Sequence, residues 1–162
     1  MDAAPRTTLN LRLADACRIE QHALLVLDAI AANRNLPRAL RDRAELHHVE
    51  TQAQLNQTFA ALAGLAPSLA ERLRATPHAM ADGHPGVVQW MALERREINA
   101  YQGVLAYCTR GPAGNLAHIC ASAIDLQRAV LLWLEADDGH GQRSGNLPGI
   151  PGKLRLVCPG PA

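Results

Sequence analysis

Aromatic residues are nearly missing from this chain of 162 residues: two tryptophans, two tyrosines and one phenylalanine make up 3% of it. β-Branched residues are also scarce and alanine is abundant, which argues against a sheet-based core and for helices. Charge of one sign is lacking. The formal net charge is +1, so nothing in the charge balance suggests the basic footprint of a nucleic-acid-binding protein or an electrostatic membrane patch. No apolar run approaches ~18 residues, so no membrane-spanning helix is expected. Residues 1–10 lack the apolar centre of a secretory signal. The four cysteines (Cys17, Cys108, Cys120, Cys158) are scattered, with no Cys-x-x-Cys pair, so zinc-finger chemistry is not expected. Three of them fall in helical apolar patterns, where reduced cysteine acts as a small hydrophobe. That usage points to a reducing, cytoplasmic setting. Hydrolase and transferase signatures are missing as well: there is no Gly-x-Ser-x-Gly, no Walker loop, no dinucleotide fingerprint and no His-Glu-x-x-His.

What the chain does have is apolar content at helical spacing. Apolar residues reach 48% and charged residues 19%, the balance of a globular domain. The periodicity predicts a first helix from about Leu9 to Ala32 and a second from Pro37 to Ala63, with Gly64 as its stop. A short helix over Pro67–Ala75 follows, then a loop over 76–85. Two more long helices are predicted, from Pro85 to Thr109 and from Asn115 to Ala136. Beyond Asp138 glycine and proline replace the periodicity, which reads as a loose tail or as a segment that docks through Leu154, Leu156 and Val157. The expected layout is an N-terminal extension over 1–8, an all-α antiparallel four-helix bundle with a short extra helix over 9–137, and a Gly/Pro-rich tail over 138–162.

The informative residues are acids in the wrong place. Leu13, Cys17, Glu20, Leu24, Leu27 and Ala31 form one helical stripe, so Glu20 sits where an apolar residue belongs. Trp90, Glu94, Glu97, Tyr101, Val104 and Cys108 form another, with two acids inside it. A buried carboxylate is costly unless it is protonated, paired or bound to a cation. Two like charges side by side raise that cost further. Inward-facing carboxylates on several helices of a bundle are the arrangement of di-metal carboxylate proteins. In the second helix Glu50 lies at the edge of a face formed by Leu46, Val49, Ala53 and Ala60, and reads either as an inward acid or as a solvated one. The one Glu-x-x-His pair, Glu45 and His48, reads as a polar helix end. In the last helix the stripe Leu116, Ile119, Ala123, Leu126, Val130, Trp133 contains no acid. There Asp125 is one position off the stripe, and His118 reads as a packing residue.

Ile19-Glu20-Gln21, the stretch His47-x-x-Glu50-Thr51-x-x-Gln54 and the run Ala92 to Tyr101 with its Glu97-Ile98-x-x-Tyr101 pattern resemble the first three helices of the YciE/YciF-type ferritin-like proteins. Leu116 to Leu134 falls where that family's fourth helix would lie. The resemblance spans roughly residues 10–137. It implies a ferritin-like four-helix bundle, commonly dimeric, with a carboxylate metal site and a link to bacterial stress responses. Carried over by position, it implies Glu20, Glu50 and Glu97 as metal ligands, with Glu94 close by. The fourth helix departs from the family: Ala121, Ser122, Ala123 and Gln127 stand where its acids would be. The expectation is therefore a reduced site for one divalent metal such as iron, manganese, magnesium or zinc. A metal-free bundle acting as a binding or structural module is the alternative. A homodimer is the partner expected, with neither nucleic acid nor membrane.

Overall fold

The computed structural model describes residues 3–76, 85–108 and 114–140. Among the described residues every regular element is an α-helix: α1 (Ala3–Ala32), α2 (Arg38–Leu65), α3 (Pro67–Ala75), α4 (Val87–Cys108) and α5 (Gly114–His140). The all-helical expectation holds. The expected loop over 77–84, the break over 109–113 and the tail over 141–162 lie outside the described residues.

Several boundaries differ from the sequence expectation, for local reasons. Helix α1 starts at Ala3, not Leu9, so most of the expected N-terminal extension is helical. Pro5 falls in its first turn, where a missing N–H costs nothing. A tight turn follows α1, in which the Asn35 amide donates to Asn33 Oδ1 at 3.1 Å and the Leu36 amide donates to the Asn33 carbonyl at 3.1 Å. Pro37 is extended (φ −52°, ψ 143°) and stands just outside α2. Gly64 does not end α2, which runs through it to Leu65. Ala66 ends it instead, at φ −148° and ψ 73°. The residue before a proline is sterically barred from helical geometry, and Pro67 opens α3. Helix α5 runs past the expected tail boundary to His140.

Two apolar clusters show how the helices run. The first joins Leu9, Leu13 and Cys17 of α1, Leu55, Phe59 and Leu62 of α2, Val104 and Cys108 of α4, and Leu116, Cys120 and Ile124 of α5. The second joins Ile19 to Ile30 of α1, Leu40 and Ala44 of α2, Trp90 and Leu93 of α4, and Val130 and Leu134 of α5. Each cluster thus takes opposite halves of neighbouring helices. α1 packs against α2 and α4, and α5 against α4 and α2, which closes a ring of four helices. Every neighbouring pair is antiparallel, and the two diagonal pairs, α1 with α5 and α2 with α4, run parallel. The directions are up, down, down, up. A crossover that includes α3 therefore separates α2 from α4. Ala70 and Leu73 hold α3 against the first cluster.

Two helix faces are set differently from the sequence reading. Leu46 and Val49, read as part of an apolar face, are 55% and 65% exposed. Leu40, Ala44, His47, Thr51, Gln54 and Thr58 face inward in their place. In α5, Leu116, Ala123 and Val130 are buried as expected, but Cys120, Gln127 and Leu134 join them while Ile119, Leu126 and Trp133 are only partly covered. Contrary to the sequence reading, Asn115–Ala136 is long and apolar enough to cross a membrane by length and composition, with mean hydropathy 1.2. The reason is that its charges are few and spaced. A core helix passes the same test, and Val130 and Leu134 place one face of α5 in the second cluster.

Candidate metal centre

A polar layer lies between the two apolar clusters, and all four long helices supply it. Helix α1 gives Glu20, α2 gives His47, Thr51, Gln54 and Thr58, α4 gives Glu94, Glu97 and Tyr101, and α5 gives Gln127; each is buried. The α4 stripe expected from sequence, Trp90 through Cys108, is the buried face of that helix.

His47, Glu94 and Glu97 are fully buried, and one ligand atom from each lies within 4.8 Å of the other two. Each is anchored by a neighbour. Trp90 Nε1 donates to Glu94 Oε1 at 2.6 Å, and Gln127 Nε2 donates to Glu97 Oε2 at 2.8 Å. The second oxygens, Glu94 Oε2 and Glu97 Oε1, have no partner. His47 Nδ1 meets Glu50 Oε2 at 2.9 Å, and Arg43 Nη1 donates to the same oxygen at 3.0 Å. His47 Nε2 lies 3.0 Å from Glu94 Oε1, and the imidazole stacks on Trp90 with centroids 6.0 Å apart. A histidine whose outer nitrogen is held by a carboxylate, and whose inner nitrogen faces further carboxylates, has the orientation that metal-bound histidines show.

Glu20 completes the layer. It is 0% exposed and neither of its oxygens is hydrogen-bonded. The Tyr101 hydroxyl acts on it without reaching bonding geometry, being engaged with Thr58 Oγ1 at 2.9 Å. Burial pushes the Glu20 carboxyl up to about 8, and the Glu94 charge adds to this, against opposing effects of Tyr101 and His47. Burial raises Glu97 well above the usual carboxylate range, with the charges of Glu20 and Glu94 adding to it. Burial also raises Tyr101 well above the usual phenol range, and Glu20 adds to that. For His47 burial opposes the charged form, but the hydrogen bonds to Glu50 and Glu94 outweigh it and its pKa is raised. For Glu50 burial is outweighed by His47 and Arg43, and its pKa is lowered.

Of the four acids singled out from sequence, the structure brings Glu94 and Glu97 into one group with His47 and sets Glu20 beside them. Glu50 stands on the far side of His47, paired with Arg43, its side chain 30% exposed. Glu45 is exposed, and His48 pairs with Asp28 at 3.3 Å on the outside. His118 and Asp125 are exposed. Sequence reading missed His47 as a site residue. Its signal was the seven-residue alternation Leu40, Ala44, His47, Thr51, Gln54, Thr58, Leu62, which the apolar Leu46 and Val49 masked. Gln127 was noted as a missing acid; here it is a donor that orients Glu97. No protein-family model, curated protein or solved structure matches the chain.

Proposed function

We propose that this protein is a ferritin-like helical bundle that binds one divalent metal ion in its central polar layer. The ligands are His47 Nε2, Glu94, Glu97 and Glu20, and Glu50 fixes the imidazole from behind. The observation that carries the reading is the set of buried carboxylate oxygens without partners: both of Glu20, one of Glu94 and one of Glu97. A buried polar atom without a partner costs about 1–3 kcal/mol, more if charged, so four beside a buried histidine call for a cation. The donor set, three carboxylates and one imidazole, suits iron, manganese or zinc. The up-down-down-up order with one crossover is the connectivity of ferritin-like bundles and supports that part of the proposal. Such an ion, when bound, supplies Lewis acidity at any coordination position the side chains leave open. Gln127 in place of an acid on α5 favours one ion over two.

Elemental analysis of protein purified without a chelator or a histidine tag tests this, repeated after loading with Fe²⁺, Mn²⁺ or Zn²⁺. About one ion per chain is expected, falling steeply in Glu97→Gln. Wild-type levels of metal in that variant would remove Glu97 from the ligand set.

One observation favours a second reading. Both nitrogens of His47 lie within 3.0 Å of carboxylate oxygens, the pattern of an imidazolium that donates twice. In a metal-free protein, His47⁺ would pair with Glu94 while protons neutralise Glu20 and Glu97. The bundle would then be a structural or binding module. Failure to take up metal under every loading condition would select that reading.

A further inference from the structure

The face that Leu46, Val49, Ala53 and Ala60 form on α2 exists, but on the outside of the bundle. Leu46 and Val49 are more than half exposed, and Ala53 and Ala60 are exposed as well. Asn56 is exposed between them, and half-buried Ala63 follows. Positions 46, 49, 53, 56, 60 and 63 alternate steps of three and four, the spacing of the seam along which two helices wind together. His47, Thr51, Gln54 and Thr58 are the buried side of the same helix, so the seam stands whether or not the polar layer holds an ion. Charge sets this face apart. From Thr51 to Ala70 the chain has no charged residue. The other long helices carry exposed charges along their outer faces, such as Arg12 and Asp15 on α1, Arg95 and Arg96 on α4, and Asp125 and Arg128 on α5. A helix facing water ordinarily carries charge on that side, and depletion of charge marks the centre of an interface. We propose that this face of α2 binds the same face of a second copy of the chain, antiparallel, in a twofold dimer.

The fit of the seam to its own reverse selects a second copy as the occupant. A twofold dimer uses one patch on both subunits, so that patch must complement itself. Turned end for end about a point between residues 54 and 55, Leu46 meets the partner's Ala63, Val49 meets the partner's Ala60, and Ala53 meets the partner's Asn56. Each branched side chain lands on an alanine, and the twofold repeats this in the other half. A parallel pairing would set Leu46 on its own copy and Val49 on its own copy at one end, with only alanines meeting at the other, which packs unevenly. The alanines let the two helix axes approach to about 8 Å. Asn56, in the middle, is held by Gln52, whose Nε2 donates to Asn56 Oδ1 at 3.2 Å. A single polar residue in such a seam fixes its register.

Charge at the ends agrees with the antiparallel order. Glu45, exposed near the start of α2, comes to the end of the partner where α3 carries a basic last turn, in this chain Arg72 and Arg74. Area sets the strength. The seam is ~27 Å long at 1.5 Å per residue, and one helix pair of that length covers less than the ~800 Å² per partner of a standard interface. The dimer is therefore reversible and comes apart on dilution.

Sedimentation velocity of the full chain over a dilution series tests this. A monomer should give way to a dimer as concentration rises, with a midpoint in the micromolar range. Val49→Glu and Ala60→Lys should each move that midpoint upward by at least about tenfold. Both side chains face water in the single copy, so helix content and melting by circular dichroism should stay as in wild type. The two substitutions combined should restore association, because each introduced acid then meets an introduced lysine of the partner; a parallel pair would set acid on acid and stay apart. A monomer at every concentration would overturn the proposal. So would a dimer that neither single variant weakens, or a double variant no better than the singles. A monomer in which Val49→Glu opens residues 141–162 to protease would give the face to the chain's own tail, with the same consequence. Amide hydrogen exchange of the wild type at high and low concentration needs no variant to fold. Protection gained on association should centre on residues 46–63, and protection centred on another helix would refute the assignment.

Discussion

Glu20 carries more weight than any other side chain, because a fully buried carboxylate with two unpartnered oxygens makes opposite demands with and without metal. Without metal the folded chain holds a proton on Glu20 up to about pH 8, whereas the unfolded chain releases it near 4.5. Glu97 is raised in the same direction. Stability is therefore highest below the unfolded value and is lost as pH climbs through the folded one. His47, raised from 6.5, adds to the trend, since its contribution is complete below 6.5 and fades as pH passes its folded pKa. Glu50, lowered from 4.5, acts the other way and loses its contribution as pH falls. Chelator-treated protein should thus unfold more easily in denaturant at pH 8.5 than at pH 5.5, by an amount on the order of a few kcal/mol. Glu20→Leu should flatten that slope and raise metal-free stability by about 1–3 kcal/mol near pH 8, while ending stabilisation by metal. A variant less stable than wild type at pH 8 without metal would show that Glu20 has a partner after all. Glu50 is distinguished from the ligands by degree. Glu50→Gln should weaken metal binding about 10–100-fold with stoichiometry unchanged, as loss of a histidine's supporting carboxylate does; loss of the ion altogether at saturating metal would make Glu50 a ligand. The acids were legible in sequence because a carboxylate interrupts an apolar stripe conspicuously. His47 was not, because its stripe is itself polar and neighbouring Leu46 and Val49 offered a false apolar face.

At the scale of elements, sequence reading did well where local chemistry decides and less well where packing does. Pro67 opening α3 and the turn at Asn33 follow from backbone sterics and short hydrogen bonds, and both were visible. Gly64 was misread because a glycine near a helix end looks like a stop signal, yet the sterics of Pro67 on Ala66 end the helix two residues later. That correction has a measurable side. Gly64 lies inside α2 with nothing within 4 Å of where a Cβ would sit. Gly64→Ala should therefore raise stability by about 0.5–1 kcal/mol in a denaturant titration, by removing backbone freedom from the unfolded chain. A loss of stability would mean that the helix ends at the glycine. The register of α5 could not be read from periodicity alone. Its two faces are nearly equally apolar, and only the fit of Cys120, Gln127 and Leu134 between α4 and α2 chooses one.

For the whole molecule, the arrangement puts the polar layer midway between two separate apolar clusters. Helical periodicity tells which face of a helix is buried but not which way the helix runs, so the up-down-down-up order was beyond the sequence. That order brings His47 and Glu94, on diagonal helices, within 3.0 Å across the middle. Glu20 and Gln127 approach from the other diagonal, so one ion at the centre would tie together α1, α2 and α4, with α5 joined through Gln127. Loading with Zn²⁺ at pH 8 should accordingly slow amide hydrogen exchange in all four long helices at once, and acidification, which protonates the ligands, should reverse the protection. Protection limited to α4 would place the ion outside the layer.

The indole of Trp90 has a use beyond holding Glu94. It touches two of the proposed ligands, stacked on His47 and hydrogen-bonded to Glu94, and the chain's only other tryptophan, Trp133, lies 6.4 Å away on the outer side. The protein thus carries its own lamp beside the centre. Trp133→Phe would leave a single emitter, and adding Mn²⁺ or Fe²⁺ should dim it through the unpaired electrons of the ion, whereas diamagnetic Zn²⁺ should alter its colour more than its brightness. Identical spectra with and without each ion would place the metal elsewhere.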